Sequence, residues 1–529
     1  MPKLTIDGKE YEVPAGTSVI KACHENGIDI PHYCYHPGLS PEGNCRLCLV
    51  EIEKMPKLAP SCTTVAGEGM IVRTNTDKVK KARADVMEFL LVDHPIDCPI
   101  CDQVGECKLQ DYYMEHDRRP SHVPLEQKIL KPKRVQFSDK VIYDAERCIL
   151  CTRCVRFCRE VPGTNELGMF NRGAVSLIGL NEGRQLANDY SMNVVDVCPV
   201  GALTSASFRF QKRVYFLKTT PSVCNGCSRG CNINLDWDNE KLFRYRPRPN
   251  LEVNDYWMCD AGRLSCASQQ AEGRLLRPKA RMAGELKQQP WGRILDRVAE
   301  ALRSAGDGKL AVLLSARATT EENYAWRSLI QSRFPKAFVA FTPADFYAEG
   351  KGDDILITAD KSPNQAAGDA LGLRSGSSLE QIVQAMESGQ IATLVVLDDD
   401  YASSRNPNNR LADRFRAALA KVAEVVAVTP HESETTRLAS VIVPKAAFTE
   451  TTGTFINVDR RVQRIARSVP PPGEALEGLD IVSRLAHLLG TETASGNAAA
   501  TFARMTASDA AFRGLTWEGL GEQGALLAS

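Results

Sequence analysis

All eighteen cysteines of this 529-residue chain lie in its first 266 residues, and the last 263 contain none. The thiol-rich half must fold around whatever its sulfurs bind. The thiol-free half must fold on an apolar core alone. Most of the cysteines fall into four groups with metal-ligand spacing. The first is Cys34, Cys45, Cys48 and Cys62, reading C-x10-C-x2-C-x13-C. The second is His94-x3-Cys98-x2-Cys101-x5-Cys107. The third is Cys148-x2-Cys151-x2-Cys154, closed by Cys198 in the run CPVGAL. The fourth is Cys224-x2-Cys227-x3-Cys231-x27-Cys259. Four such sites in series on one chain suit the transport of electrons.

The bulk properties narrow the compartment and the partners. A chain this long is expected to hold several domains. Its formal net charge is zero, so it lacks the basic excess of a nucleic-acid binder. The short run KILKPKR, Lys128 to Arg134, is interrupted by Pro132 and reads as a solvated linker. The N-terminal MPKLTIDGKEYEV has no signal-peptide pattern. No run approaches the roughly 18 apolar residues of a membrane helix. A cytoplasmic setting is expected, and there these spacings favour metal over disulfides.

Periodicity sets a coarse architecture. Leu4 and Ile6, then Tyr11 and Val13, alternate as two strands. A helix follows, with Thr17 or Ser18 as its cap and Val19, Ile20, Ala22 and Cys23 as its apolar face. A long loop carries Cys34, Cys45 and Cys48, before the strand Leu49 to Ile52. A second helix is expected from Asp77 to Leu91, its apolar face formed by Val79, Val86, Phe89 and Leu90. The His94-Pro95 pair ends it. Residues 120 to 140 are Pro- and Lys-rich and read as a connector. From about 290 onward, helices alternate with buried strands. The helices are Trp291 to Ala305 and Thr320 to Phe334. The strands are Leu310 to Leu314, Ala337 to Phe341, Asp354 to Thr358, Ala392 to Leu397 and Val422 to Val428. That alternation predicts a parallel, doubly wound α/β sheet. The Ala/Ser/Gly-rich stretch after about 492 is expected to be mobile.

Soft thiolates suit iron–sulfur clusters and zinc alike. The first group has the looped logic of a plant-type [2Fe–2S] site, with C-x10-C replacing the short C-x4-C. Its single short C-x2-C element argues against a tight zinc site. The second group mixes imidazole with three thiolates. On spacing alone a zinc site and an iron–sulfur site are equal contenders there. The third group matches the ferredoxin run C-x2-C-x2-C-x3-C, in which the fourth cysteine serves another cluster. That other cluster has no further cysteines here, so one [4Fe–4S] site remains, on Cys148, Cys151, Cys154 and Cys198. Cys158 reads as the buried trace of a lost second cluster. The fourth group fits a further [4Fe–4S] site, with zinc as the weaker alternative. Cys23 and Cys266 read as packing residues.

Several segments carry a family resemblance: PHYCYHPGLSPEGNCRLCLVEIE, DHPIDCPICDQVGECKLQD, RCILCTRCVRFCREVPGTNELG and DVCPVGALTS. They resemble the large iron–sulfur subunit of respiratory complex I, the G subunit of the bacterial NADH–quinone oxidoreductases. The resemblance implies five domains. Residues 1–80 would form a β-grasp [2Fe–2S] domain, 81–122 a one-His/three-Cys [4Fe–4S] domain, and 140–216 a ferredoxin-like [4Fe–4S] domain. Residues 217–273 would form a molybdopterin-oxidoreductase-type [4Fe–4S] domain, and 274–529 a truncated α/β domain of the same superfamily. It makes His94 a cluster ligand beside Cys98, Cys101 and Cys107. The cofactors expected are therefore one [2Fe–2S] and three [4Fe–4S] clusters.

The stretches Phe448 to Gln463 and Pro363 to Gly376 carry the molybdopterin-type likeness. Only 270 residues follow Cys259, with no cysteine past 266, so no molybdopterin is expected. The implied function is a one-electron relay without bond chemistry on this chain, within a proton-translocating complex through which the cytoplasmic chain is peripheral to the inner membrane. The implied partners are a flavin- and NADH-binding subunit, a ferredoxin-like iron–sulfur subunit and other complex I subunits. The rival readings are the large subunit of an NAD-linked formate dehydrogenase, an iron-only hydrogenase and a zinc-stapled scaffold.

Overall fold

The computed structural model describes residues 1–528 except 118, 121, 268–272, 493 and 494. The end of the fourth expected domain, at 268–272, thus lies outside the described residues. The chain divides into two compact units, Met1–Leu217 and Lys218–Ser529.

The first unit opens with β1 (Lys3–Ile6), β2 (Lys9–Glu12), α1 (Val19–Glu25), β3 (Leu49–Ile52), β4 (Ala59–Pro60) and β5 (Met70–Arg73). The strands form one sheet in the order β2-β1-β5-β3-β4, with β1 and β5 parallel. Leu4 and Ile6 alternate inward with Val50 and Ile52. They meet Val19, Ile20, Ala22 and Cys23 of α1 in one core. Each fully buried aliphatic side chain there contributes roughly 1.5–3 kcal/mol. Ser18 occupies the cap position of α1, though its side chain makes no capping bond.

Helix α2 spans Asp77–Leu91, capped by the Thr76 side chain, which accepts from the Val79 N–H. Its buried face differs from the one expected. Val79, Arg83, Met87 and Leu91 point inward at successive i, i+4 steps, while Phe89 is 76% exposed. The reason is Arg83. Its guanidinium donates to the Thr74 carbonyl at 3.0 Å, so a charged residue occupies a core position that an apolar count rejects. After α3 (Lys108–His116) comes the segment expected to be a solvated linker, which is largely exposed except at its first residue. Lys128 is buried, and its ammonium donates to the Leu91 and Val92 carbonyls at 2.5 and 3.0 Å. It satisfies the C-terminal end of α2, where a cation is favoured. Lys133 pairs with Glu146 at 2.6 Å and Asp97 at 3.3 Å.

The rest of the first unit is built from β6 (Val135–Gln136), β7 (Val141–Tyr143), α4 (Arg153–Glu160), β8 (Leu167–Phe170), β9 (Leu177–Leu180), α5 (Asn193–Val197) and β10 (Leu203–Ser205). Strands β10, β7 and β6 form a small antiparallel sheet, and β8 pairs with β9.

The second unit begins with an antiparallel meander, β11 (Lys218–Val223), β12 (Asn232–Asp238) and β13 (Lys241–Pro247), followed by α6 (Asp260–Leu264). Next come β14 (Lys279–Met282), β15 (Glu285–Gln288), α7 (Trp291–Ala305), β16 (Leu310–Leu314), α8 (Thr320–Arg333) and β17 (Phe338–Phe341). They are followed by α9 (Ala366–Ala370), α10 (Leu379–Glu387), β18 (Thr393–Leu397), α11 (Ala412–Leu419), β19 (Glu424–Thr429), α12 (Glu434–Leu438) and β20 (Val441–Pro444). A seven-stranded sheet runs β15-β14-β20-β19-β18-β16-β17. The five strands from β20 to β17 are parallel, and β14 and β15 form an antiparallel edge.

Both faces of this sheet are covered. Leu310, Val312 and Leu314 of β16 enter one core with α7 and α8, while Ala311 and Leu313 enter the other with α10 and α11. Burial on both sides explains why these strands read as unbroken apolar runs.

Two expectations fail in this unit. Asp354 to Thr358 form no strand. The Asp353 carboxylate accepts the N–H groups of Ile355, Leu356 and Ile357, each at 2.9 Å, and curls the run into a turn. The C-terminal stretch is packed rather than mobile. After β21 (Gly453–Ile456), β22 (Arg461–Ile465) and α13 (Gly478–Leu488), helix α14 (Ala498–Ser508) buries Phe502 and Met505 in the sheet's core beside Phe512.

Candidate metal centres

The four thiols of the first group lie in hydrogen-bonding contact. Cys34 reaches Cys45 and Cys62, and Cys62 also reaches Cys48. The backbone N–H groups of Tyr33 and Cys34 donate to the Cys45 sulfur, each at 3.5 Å. The bond from Cys62 holds the Cys48 thiol down at about 7. In each contact one thiol donates to the other, so Cys34 and Cys48 are held down while Cys45 and Cys62 are pushed well up, and a bound metal would displace the shared protons.

The second group is looser. Cys98, Cys101 and Cys107 act on one another electrostatically. Burial pushes the Cys107 thiol up to about 11. His94 shares the neighbours Asp97 and Arg147 with Cys101. Its Nδ1 is buried and has no hydrogen-bond partner among the described residues. Burial lowers its pKa to about 4, so the ring is neutral at pH 7 and offers a lone pair. An orphaned, neutral ring nitrogen suits a metal ligand better than a surface histidine.

In the third group, Cys148, Cys151, Cys154 and Cys198 all line one small cavity, walled by Tyr143, Ile178, Val200 and Leu203. Burial raises Cys148, Cys151 and Cys198 to about 11. Backbone N–H groups of Leu150, Arg153 and Val200 reach the sulfurs of Cys148, Cys151 and Cys198, and the Tyr143 hydroxyl bonds to Cys148. Such donors to sulfur set the potential of an iron–sulfur centre.

The fourth group sits between β11 and β12 and at the start of α6. Cys224, Cys227, Cys231 and Cys259 act on one another through their charges. The Gly226 and Gly262 N–H groups donate to the Cys224 and Cys259 sulfurs at 3.4 and 3.3 Å. A Cβ placed on Gly262 would stand 3.0 Å from the Cys224 sulfur and 3.3 Å from that of Cys259. Only glycine lets the backbone approach the thiols this closely. Among the described residues, no three His, Cys, Asp or Glu side chains already stand in closed coordination geometry.

Cys23, Cys158 and Cys266 stand outside the four groups. Burial raises each of them to about 12, which leaves three inert thiols.

Sequence reading missed the residues between the groups of the first unit. Tyr33 lies between Cys107 and Cys45 and packs edge-on against Tyr112, with ring centres 5.4 Å apart. Gly201, three residues after Cys198, abuts the Cys101 sulfur, with which any Cβ would collide. Arg147, Arg153 and Arg156 are buried around the third group. One signal was present in the chain, since two of them, Arg153 and Arg156, interleave with cysteines in CTRCVRFC. Arginine's usual exposure hides their burial. Backbone strain marks the same loops. Arg46, Ile96, Leu150 and Thr152 hold positive φ of 59°, 52°, 53° and 60°.

In the second unit, the ends of β16, β18 and β20 border a cleft lined by Arg317, Thr319, Glu322, Asp398, His431 and Lys445. The Lys445 ammonium donates to Glu322 at 2.7 and 2.9 Å and to Asp398 at 2.7 Å, so both carboxylates share one buried cation.

Five family models match the chain. A 2Fe-2S iron-sulfur cluster binding domain matches residues 2–77. An NADH-ubiquinone oxidoreductase-G iron-sulfur binding region matches 83–122. The ferredoxin-like domain of NADH-quinone oxidoreductase subunit 3 matches 138–204. A molybdopterin oxidoreductase Fe4S4 domain matches 217–269, and a molybdopterin oxidoreductase domain 358–488. The NADH-quinone oxidoreductase G subunit of Streptomyces coelicolor is 41% identical over 65% of this chain and 40% of its own length. The protein of that name in Rickettsia bellii is 40% identical over 63% of this chain and 48% of its own.

Over these stretches the chain is similar to the NADH-quinone oxidoreductase G subunits.

The match spans less than half the length of these curated relatives. A crystal structure of an NAD+-reducing [NiFe]-hydrogenase is 29% identical, covering 40% of this chain and 91% of its own. Its TM-score of 0.36 is too low to carry a shared fold. The matched models describe 2Fe-2S and 4Fe-4S binding domains, so the thiol-rich half is of iron–sulfur type. Among the described residues no helix is long and apolar enough to cross a membrane.

Proposed function

We propose that this chain is the electron-relay subunit of an NADH–quinone oxidoreductase. In this reading Cys34, Cys45, Cys48 and Cys62 hold a [2Fe–2S] cluster in a β-grasp domain spanning 1–80. His94, Cys98, Cys101 and Cys107 hold a [4Fe–4S] cluster in 81–122. Cys148, Cys151, Cys154 and Cys198 hold a second in 140–216, and Cys224, Cys227, Cys231 and Cys259 a third in 217–273. Such clusters, when bound, supply one-electron acceptance and release. The observation that carries the reading is the lining of one cavity by all four thiols of the third group, although Cys198 is 44 residues from Cys154.

The chain's own residues have three tasks. They present the thiols that metal binding would deprotonate, donate N–H groups to the sulfur, and bury it from water. Burial and hydrogen bonding tune the potentials. The α/β domain, 274–529, serves as a scaffold, because Lys445, Glu322 and Asp398 satisfy one another in the cleft where an α/β sheet usually binds its ligand. The partners are a flavin-bearing NADH-binding subunit and a ferredoxin-like subunit leading to quinone. The chain sits on the cytoplasmic side, peripheral to the membrane through its complex.

Replacing Cys151 by Ala tests the relay in the assembled complex. One [4Fe–4S] EPR signal should vanish and NADH-driven quinone reduction should fall to background. Normal turnover without that signal would sink the proposal.

A further inference from the structure

The Arg156 side chain is 1% exposed and lies at the start of α4, inside the third cysteine group. One of its terminal nitrogens donates to the Cys34 carbonyl at 2.5 Å and to the Cys151 carbonyl at 3.4 Å. The other donates to the Ser40 carbonyl in the loop of the first group. Its Nε reaches the Thr152 hydroxyl at 3.3 Å. One cation thus grips the backbone of a proposed ligand of each of two centres. The nearest carboxylate, that of Glu42, is 3.7 Å away and 40% exposed, so water weakens its neutralising effect. Arg153 supports the same junction, donating to the Tyr35 carbonyl and, at 3.2 Å, to that of Val197.

We infer that Arg156 is a positioning residue shared by the first and third centres, which locks their ligand loops together and holds both reduction potentials up with one buried charge. The inference rests on the ligand assignment proposed above. A thiolate-ligated iron–sulfur centre carries net negative charge, which increases on reduction. A fixed cation in a low-dielectric site favours the more negative state, so it raises the potential of any centre within reach. Arginine suits the place because its planar fork donates in several directions and never loses its proton. A lysine would keep the charge but not the multiple bonds.

The test is an EPR-monitored redox titration of the intact complex carrying Arg156→Gln or Arg156→Lys. With Arg156→Gln, the reduced-to-oxidised ratio at a fixed potential should fall at least tenfold for both centres, a shift of about 59 mV each for a one-electron couple. The potentials of the second and fourth centres should stay in place. Arg156→Lys should restore most of both shifts. An unshifted pair, or a shift in only one centre, would overturn the inference. If Arg156→Gln does not retain the clusters, iron content decides instead. Joint loss of both centres, restored by Arg156→Lys, supports the shared role; loss of one alone, or no restoration, refutes it. Absence of the two signals from the unsubstituted complex would instead remove the ligand assignment itself, and the inference with it.

Discussion

His94 shows how one residue can be nearly silent in a sequence and plain in a structure. Beside a proline and past a helix end, a lone histidine reads as surface. In the fold its Nδ1 is buried and orphaned, and burial holds the ring neutral. Replacing neutral imidazole by thiolate adds one negative charge to the proposed second centre, which disfavours its reduced state. His94→Cys should therefore keep a cluster while lowering its midpoint by more than about 59 mV, the tenfold equivalent for one electron. Redox titration of that EPR signal checks it, and an unmoved potential would take His94 off the ligand list. Cys158 is the converse case. It is conspicuous in the sequence, yet in the fold it is a wholly buried thiol on α4, outside the third group's cavity.

At the scale of elements, α2 is legible in extent but not in orientation. Its ends at Asp77 and Leu91 follow from the Thr76 cap and the His94-Pro95 break. Its buried face departs from the expected one because Arg83 and Met87 are held by partners outside the helix, Arg83 by the Thr74 carbonyl and Met87 by the Tyr33 hydroxyl. The basic run after residue 127 misleads for the same reason, since Lys128 serves a helix end 36 residues upstream. Lys128→Met should remove the ammonium's bonds to the Leu91 and Val92 carbonyls and destabilise the first unit by about 1–3 kcal/mol. Chemical denaturation of this variant against the unsubstituted protein measures it. No loss of stability would return Lys128 to the status of a linker residue.

For the whole molecule, the division of the cysteines separates two sources of stability. In the Met1–Leu217 unit an apolar core packs the first domain, and the loops of the three cysteine groups converge on thiols. The seven-stranded sheet of the second unit has two large apolar cores and no proposed ligand. Metal binding by loops of this kind is coupled to their folding. Stripping iron with a chelator should therefore expose the amides of residues 34–48, 94–107 and 148–154 to hydrogen exchange, while β16, β18 and β19 stay protected. Equal loss of protection across both units would contradict this division.

Pattern along the chain was enough to place the cysteine spacings, the three longest helices, four of the five parallel strands of the seven-stranded sheet, and the border between a thiol-rich half and a thiol-free one. These follow from local periodicity and from the short reach of C-x2-C loops, which neighbouring residues encode. It took the packed fold to establish that Cys198 joins the cavity of Cys148, Cys151 and Cys154, that Tyr33 lies between two groups, and that Arg156 clasps the carbonyls of Cys34 and Cys151. Those contacts join residues tens to more than a hundred positions apart. Buried arginines also run against their usual exposure, so no pattern along the chain marks them. The eighteen cysteines outlined four candidate groups, and the packing shows which residues stand between three of those groups.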